Sequence, residues 1–466
     1  MAASFSQAEV LKATGAQASG EVSASFDAVV TDSRAMVPGA LFVALKGERF
    51  DAHTLLDQAV KAGASGVVVQ KGHPRGVVPA GTAVFEVNDT LVALGQLARA
   101  HRDRFSIPVG AVTGSNGKTT TKELIGAILE TRGPALKTQG NLNNEVGVPL
   151  TLFNLERRHV AAIVEMGMNH AGEISRLTEI ARPNAGLITI VQPAHIEGVG
   201  SIEGVAEAKT ELFRGLGAGA TAIVNADDER IAARAKTLKA SVMTFGRSDS
   251  ADVRLAAVDA QGRDGLSLTV RFQSRDYPVA LRLVGFHNAM NAAGAFAMGL
   301  ALGYRPEECV RGLEAAQAHA RRLQLHDAPG GVTVIDDCYN ANPASMTAAL
   351  ETLHILASEG RAIAVLGDML ELGSDEARGH VQLGIDASER AARVAFFGPR
   401  TVQSTAVAAK KLGAAAQHFD DVATLVAWLK AELKPHDVVL VKGSRGMKLE
   451  RVVEALTGTT SAGAAH

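Results

Sequence analysis

The chain has 466 residues, of which 47% are hydrophobic and 21% charged, with a formal net charge of -2. That length exceeds one hydrophobic core and predicts about three domains, while the composition excludes a disordered or fibrous chain. The near-neutral charge gives no global attraction to nucleic acid or to an anionic membrane, and no run approaches the ~20 apolar residues of a membrane span. Cys309 and Cys338 are too few for a disulfide framework; they predict a reducing compartment and two small core residues. The first residues lack the basic and apolar segments of a secretion signal, so the expected location is cytoplasmic.

Residues 1–88 hold short apolar strands, such as 41–45 and 67–69, between glycine-rich turns, which predicts a small N-terminal α/β domain. A helix over 90–105 then leads through Pro108 into a new pattern, placing a boundary near residue 88. Across residues 89–317 predicted strands at 109–113, 160–165, 186–191 and 221–225 alternate with helical segments. This is the signature of a parallel sheet covered on both faces. A second alternation, with strands at 332–336, 362–367, 394–398 and 438–442, predicts a Rossmann-like α/β domain over residues 318–466, whose small polar tail from 457 frays. No repeat of fixed period is present.

The run Thr113-Gly114-Ser115-Asn116-Gly117-Lys118-Thr119-Thr120 lies between a predicted strand and a predicted helix that carries Leu124, Ile125, Ile128 and Leu129 on one face. It is a variant of the phosphate-binding pattern GxxxxGK[ST], with Val112 where the first glycine would stand. Backbone N–H groups of such a loop hold phosphate oxygens. Lys118 is then placed for the β- and γ-phosphates and the Thr119 hydroxyl for Mg²⁺. Ligands of an open parallel sheet gather beyond the carboxyl ends of its strands, so Glu165, His195 and this loop are expected in one cleft.

Further stretches, including TDSRAMVPGALFVALKGERFDAH, GNLNNEVGVPLTL, VEMGMNHAGEI, AHIEGVGS, EAKTELF, GFHNAMNA, DDCYNANPASM, GDMLELG and VKGSRG, run in order along nearly the whole chain. Together they resemble the Mur ligases, ATP-dependent amide-forming enzymes of peptidoglycan synthesis whose loop has the form TGxxGKT[ST]. The resemblance implies an ATP-dependent carboxylate–amine ligase that joins the terminal carboxylate of UDP-N-acetylmuramoyl-tripeptide to the amine of D-alanyl-D-alanine through an acyl phosphate. It implies ATP and Mg²⁺, at two sites, as cofactors and a monomer as the working state. DDCYNANP and GDMLELG favour this acceptor, as does the lack of a DNPR sequence late in the chain. The alternatives are the family member that adds the third amino acid, the more distant folylpolyglutamate synthetase, and a nucleotide-binding regulator without ligase activity.

By the same resemblance Glu165, His195 and Lys209 hold a second Mg²⁺, with Lys209 converted by CO₂ to an anionic carbamate; read from the residues alone, Lys209 is a solvated helix lysine. Asn288 and Asn291, three apart and on one helical face, match the adenine edge in the family, although Asn288 also suits an N-cap. Arg322 aligns with an arginine that meets the γ-phosphate, but Arg321 stands where the family usually has glycine, leaving both arginines open for that contact. Asp336, Tyr339 and Asn340 resemble residues that close over the nucleotide, with Asp337 read as a turn residue, and Lys442 and Arg445 suit anionic groups. Ser33, Arg34, Lys46, Arg49, Asp51 and His53 resemble the uridine and diphosphate pocket; Asn141, Asn143 and Asn144 resemble a loop reaching the muramoyl-peptide.

Overall fold

Strand Val109–Thr113 is buried at all five positions and leads the central sheet. The computed structural model describes residues 3–19, 25–47, 50–73, 78, 81–193 and 196–459. Among these, nine strands form the central sheet, ordered Arg275–Leu281, Leu266–Phe272, Val253–Ala260, Ser241–Gly246, Thr221–Asn225, Ala185–Ile188, Val109–Thr113, Ala161–Glu165 and Ala135–Lys137. Pairing is parallel from Ala135–Lys137 as far as Val253–Ala260. The first strand of this sheet in chain order, Val109–Thr113, lies inside the order, with its successors on opposite sides. It is therefore the topological switch point, where helices leave to both faces and open a crevice.

The remaining two strands pair antiparallel and extend the edge of this sheet. Sequence reasoning left this hairpin out. Its inward positions Leu266, Leu268 and Val270 alternate with more exposed ones, but its two-residue turn is Gln273-Ser274, both at positive φ, rather than the Asn-Gly pair that announces such turns.

Helix Lys118–Leu129 buries Leu124, Ile125, Ile128 and Leu129 against the sheet. Each fully buried side chain of that size contributes about 1.5–3 kcal/mol. The helix starts at Gly117 without a side-chain cap, a loss of only about a few tenths of a kcal/mol for glycine, which this packing outweighs. Residues 130–132 continue as one 3₁₀ turn.

The N-terminal unit has a five-stranded sheet, in the order Gln17–Ser19, Ala83–Val87, Ala64–Gln70, Ala40–Val43 and Val29–Val30, parallel except at its first pair. Helix Thr90–Arg102, capped by Asp89 accepting from the N–H groups of Leu91 and Val92, joins this unit to the central one. Its Leu94 and Leu97 share one core with Phe5, Phe85, Leu152 and Phe153.

The C-terminal sheet has six strands, ordered Gln324–Ala328, Val332–Asp337, Val438–Lys442, Ala362–Gly367, Arg393–Phe397 and Ala416–Phe419, with only the first antiparallel. Separate apolar clusters cover its two faces, as a doubly wound sheet requires. Its second crevice opens where Val438–Lys442 intervenes between strands that precede it in the chain. Cys309 and Cys338 are buried, and burial pushes the Cys309 thiol up to about 12, so both are inert core residues.

Candidate active site

Val112 occupies the place of the missing glycine because it is a buried strand residue whose carbonyl accepts from the Met166 N–H at 2.8 Å. The loop turns two residues later. At Gly114, φ is +149° and a Cβ would lie 1.8 Å from Thr189 Oγ1; at Gly117, φ is +80° and a Cβ would lie 2.5 Å from Asn291 Oδ1. Only glycine fits these two points. The other wall comes from the neighbouring strand: its register pairs Ile188 with Thr113, so the segment after it runs beside the loop. There Thr189 Oγ1 donates to the Asn116 carbonyl at 2.6 Å, and Ser115 Oγ donates to the Gln192 carbonyl at 2.8 Å and accepts from the Gln192 N–H at 2.9 Å.

A cleft of about 370 Å³ lies between the central and C-terminal sheets. It is lined by the loop from Ser115 to Thr120, by Asn143 and Glu165, by Asn288 and Asn291, and by Arg322, Asp337, Tyr339, Asn340 and Lys442. Residues predicted from distant parts of the chain thus meet in one place. Lys118 Nζ folds back to donate to the Gly114 carbonyl at 2.8 Å. Burial lowers its pKa, with Glu165 opposing the shift and Arg322 adding to it.

Glu165 is set by register beside Val112 on the adjacent strand. Its Oε1 accepts from Asn143 Nδ2 at 2.9 Å, while buried Oε2 has no partner among the described residues. An orphaned carboxylate oxygen close to a threonine hydroxyl and a phosphate loop is the hard oxygen donor set that a divalent cation takes. The residues therefore fit Mg²⁺ beside a nucleotide. Lys209, on helix Ile202–Arg214, is not a solvated helix lysine: it is buried at 2% exposure. Burial first, and then the charge of Lys118, hold its pKa well below the usual lysine range. Its amine is thereby biased toward the neutral form. His195 lies outside the described residues, as does Arg49.

Arg322 Nη2 donates to Thr119 Oγ1 at 3.2 Å, and its guanidinium stacks 4.1 Å above the Tyr339 ring. Arg321 instead points at Glu450, 3.5 Å away. Its φ of +62° is the left-handed conformation glycine adopts without strain, which accounts for the glycine usual at that place. Asn288 Nδ2 donates to the Val284 carbonyl at 2.8 Å and its Oδ1 accepts from Asn291 Nδ2 at 3.0 Å, so the two carboxamides are oriented as a unit. The helix they open has Phe286 as its cap residue.

In the C-terminal sheet, Asp337 and Lys442 are register partners on adjacent strands, and Lys442 Nζ donates to Asp337 Oδ2 at 2.6 Å and to the Asn340 carbonyl at 3.0 Å. It is Asp337 that lines the cleft. Asp336 faces away, accepting from the Cys338 N–H at 3.1 Å, with burial raising its pKa. Strand alternation explains this, since neighbours point to opposite faces. Arg445 also stays outside the cleft lining, 3.5 Å from Glu450. Thr189, Gln192, Asn225, Asn342 and Glu371 line the cleft too and were missed by sequence reasoning. Position at or directly after a predicted strand end was the available signal for Asn225 and Gln192, whereas Thr189 fell inside a predicted strand.

The N-terminal set forms a separate cluster. Asp51 Oδ1 accepts from His53 Nδ1 at 2.7 Å and Oδ2 from His73 Nε2 at 2.7 Å, with the two imidazoles stacked 4.1 Å apart. His73 was not anticipated. Arg34 is exposed and paired to Asp32 at 2.7 Å, Ser33 is buried, and the Lys46 backbone bridges that of Asp51. Asn144 Oδ1 accepts from the Gly147 N–H at 2.8 Å, starting a short helix, and Asn141 lies outside the cleft lining.

The fold and the cleft thus define a protein of the phosphate-loop class, with a second α/β unit facing the loop across the cleft. Three family models match the chain in order: the Mur ligase family catalytic domain over residues 25–102, the Mur ligase middle domain over 112–299 and the Mur ligase glutamate ligase domain over 321–445. The chain belongs to the Mur ligase family. It is 36% identical to UDP-N-acetylmuramoyl-tripeptide--D-alanyl-D-alanine ligase of Bacillus subtilis, covering 92% of each chain. The enzyme of the same name from Escherichia coli is 38% identical, with 93% and 94% covered. A crystal structure of MurF from Acinetobacter baumannii superposes with a TM-score of 0.89 at 33% identity, covering 98% of this chain and 100% of that one. MurF from Thermotoga maritima in complex with ADP gives 0.81 at 28% identity, covering 92% and 96%.

Proposed function

We propose that this protein is an ATP-dependent ligase that joins D-alanyl-D-alanine to UDP-N-acetylmuramoyl-tripeptide, in the cytoplasm, as a step of peptidoglycan synthesis. The observation that carries the reading is similarity over all three units to ligases of that name. The cleft supplies the chemistry. A carboxylate is a poor acyl donor because oxide would have to leave, and phosphorylation converts it into a good one. The tripeptide carboxylate attacks the γ-phosphorus of ATP in line and ADP departs; the dipeptide amine then attacks the acyl carbon and phosphate departs.

Each cleft residue has a part in that sequence. The loop N–H groups from Gly114 to Thr120, except that of Ser115, which donates to the Ile190 carbonyl at 2.8 Å, hold the phosphates, while Lys118 and Arg322 neutralise charge on the transferring group. Asn288 and Asn291 present donor and acceptor to the adenine edge, and Tyr339 fixes the Arg322 plane. Asp337, Asn340 and Lys442 bring the C-terminal unit to the same cleft. Thr119 and Glu165, with His195 and Lys209, would hold Mg²⁺, which neutralises phosphate charge when bound. A neutral Lys209 amine is the form that takes up CO₂, so its burial favours a carbamate. The N-terminal set, Ser33, Arg34, Lys46, Arg49, Asp51 and His53, is assigned to the uridine diphosphate, the Asn141 to Asn144 loop to the muramoyl-peptide, and the protein acts as a monomer.

The test is product mass. Purified protein with ATP, Mg²⁺, tripeptide substrate and dipeptide should yield a tripeptide extended by two alanines, with rapid ADP release dependent on D-alanyl-D-alanine. Extension of a UDP-N-acetylmuramoyl-dipeptide by one amino acid would move the protein to the preceding step. Running lysine- and diaminopimelate-ended tripeptides in parallel identifies the third residue.

A further inference from the structure

One contact between the phosphate loop and the C-terminal unit has no part in the chemistry above. Asn342 Nδ2 donates to Asn116 Oδ1 at 2.7 Å; Asn116 Nδ2 donates to Asn342 Oδ1 at 3.3 Å and to Gln192 Oε1 at 2.6 Å. The two asparagines are 226 residues apart. Both are oriented from behind. Asn342 caps helix Pro343–Leu356: its Oδ1 accepts from the Ser345 N–H at 2.9 Å and its own N–H donates to Ser345 Oγ at 3.0 Å. With that oxygen committed, Nδ2 is directed away from the helix, toward the loop. Asn116 is held by Thr189 through its carbonyl and by Gln192 through its side chain.

A carboxamide offers a donor and an acceptor about one bond angle apart, so two of them form a reciprocal pair that serine or an ionised carboxylate cannot reproduce. The pair uses side-chain atoms only. The loop's backbone N–H groups, which the ligase reading assigns to the phosphates, are not consumed by it. The helix it anchors also contributes Ala344, Ser345 and Ala348 to the cleft wall. We propose that Asn342 is a positioning residue, docking the C-terminal unit onto the phosphate loop through Asn116 and so setting the separation at which the activated acyl group meets the incoming amine. This rests on the ligase reading. Docking of this kind acts on kcat and leaves nucleotide affinity largely alone, because orientation of two reactants enters the chemical step.

Asn342→Ser separates docking from capping, since serine caps a helix as well as asparagine does but is too short to reach Asn116. Expected are an unchanged thermal midpoint, a KM for ATP within about twofold of the parent, and a kcat lower by roughly 10-fold, the effect of one lost hydrogen-bonded contact. Asn116→Ser should give a similar loss, and the double variant should be no slower than the worse single one, as expected for two halves of one contact. A kcat equal to the parent's in Asn342→Ser, or losses that multiply to roughly 100-fold in the double variant, would overturn the proposal. If Asn342→Ser melts early, Asn116→Ser decides by the same kinetic criteria. Small-angle scattering with a non-hydrolysable ATP analogue needs no turnover: the parent should be more compact than Asn342→Ser, and equal profiles count against docking. A parent that compacts yet makes no extended peptide would refute the ligase reading and leave the docking contact standing.

Discussion

In the N-terminal cluster every polar atom that matters is matched. Asp51 accepts from the His53 N–H at 3.0 Å and from the rings of His53 and His73, and His53 Nε2 accepts from the Gln70 N–H at 2.9 Å. In the cleft, Glu165 Oε2 and Arg322 Nε are buried without partners among the described residues; Lys209, outside the cleft lining, is buried with no hydrogen bond among the described residues. Closure of the first set stabilises the fold. The open set costs stability, since each unmatched buried polar group forfeits about 1–3 kcal/mol, and in the cleft it is a set that a bound ligand can complete. The three side chains of the N-terminal cluster lie close enough to invite a metal assignment. Hydrogen bonding argues otherwise: His53 uses Nε2 as an acceptor, so its Nδ1 carries the proton given to Asp51 and has no lone pair for a cation.

The contrast is broken most forcefully at Lys118. Lys118→Ala should lower turnover by more than about 100-fold by removing charge stabilisation in the transition state, while far-ultraviolet circular dichroism stays as in the parent. A folded variant with near-parent kcat would remove the loop from the reaction.

Lys209→Met should lose activity by a comparable factor, about 100-fold, yet gain thermal stability in carbonate-free buffer. The sign follows from its lowered pKa. Below the folded-state pKa both states are protonated and only the folded one bears the burial penalty; as pH rises toward the ordinary lysine value of 10.5 the folded state sheds its proton first, and above that the penalty is gone. Melting curves across pH should therefore show the gain largest at low and neutral pH and vanishing above 10.5. A destabilised Met variant at neutral pH would show that Lys209 is a matched group after all.

Arg322→Ala should reduce kcat by roughly 10- to 100-fold, whereas Arg321→Ala should change it less than about twofold, because only Arg322 reaches Thr119. Arg321→Gly should raise stability slightly, since it relieves a positive φ. Steady-state kinetics of the pair measures which arginine belongs to the open set; equal losses would erase the distinction drawn between them.

The smallest effect belongs to the matched cluster. Burial works to raise the Asp51 pKa, but the His53 N–H and the two rings prevail and carry it down to about 2. A carboxylate so depressed adds stability that is fully present above its ordinary value of 3.8 and is lost as pH falls through about 2. Asp51→Asn should therefore lower the melting midpoint at neutral pH by a few degrees, about 1 kcal/mol in a chain of this size, with the deficit shrinking between pH 4 and 2 (roughly the interval between those two pKa values). A deficit independent of pH would assign the loss to packing.

Strand positions were legible wherever a buried run was short and β-branched. The strands at 109–113, 221–225, 362–367 and 438–442 were predicted with the bounds they have. Helix Thr90–Arg102 was expected to reach residue 105 and stops earlier, since Arg102 turns inward to donate to the Phe105 carbonyl at 2.6 Å. The hairpin over 266–281 escaped because its turn lacks asparagine and glycine. Asp337 escaped for a different reason. A run of two aspartates at a strand end gives no sign of which one faces the crevice until the pleat and the neighbouring Lys442 are in place.

By itself the sequence determined the family, the form of the loop and the alternation of strands and helices, because these depend on local spacing: glycines where a Cβ cannot fit, a lysine at the start of a helix, apolar runs at fixed intervals. Only the tertiary structure decided which polar groups are matched and which are left open. Register set Glu165 beside the loop and Asp337 beside Lys442, a backbone φ turned Arg321 away and Arg322 in, and packing buried Lys209. Such outcomes depend on partners tens to hundreds of residues away, and desolvation, which makes an unmatched charge costly and therefore informative, exists only once the chain has closed around it.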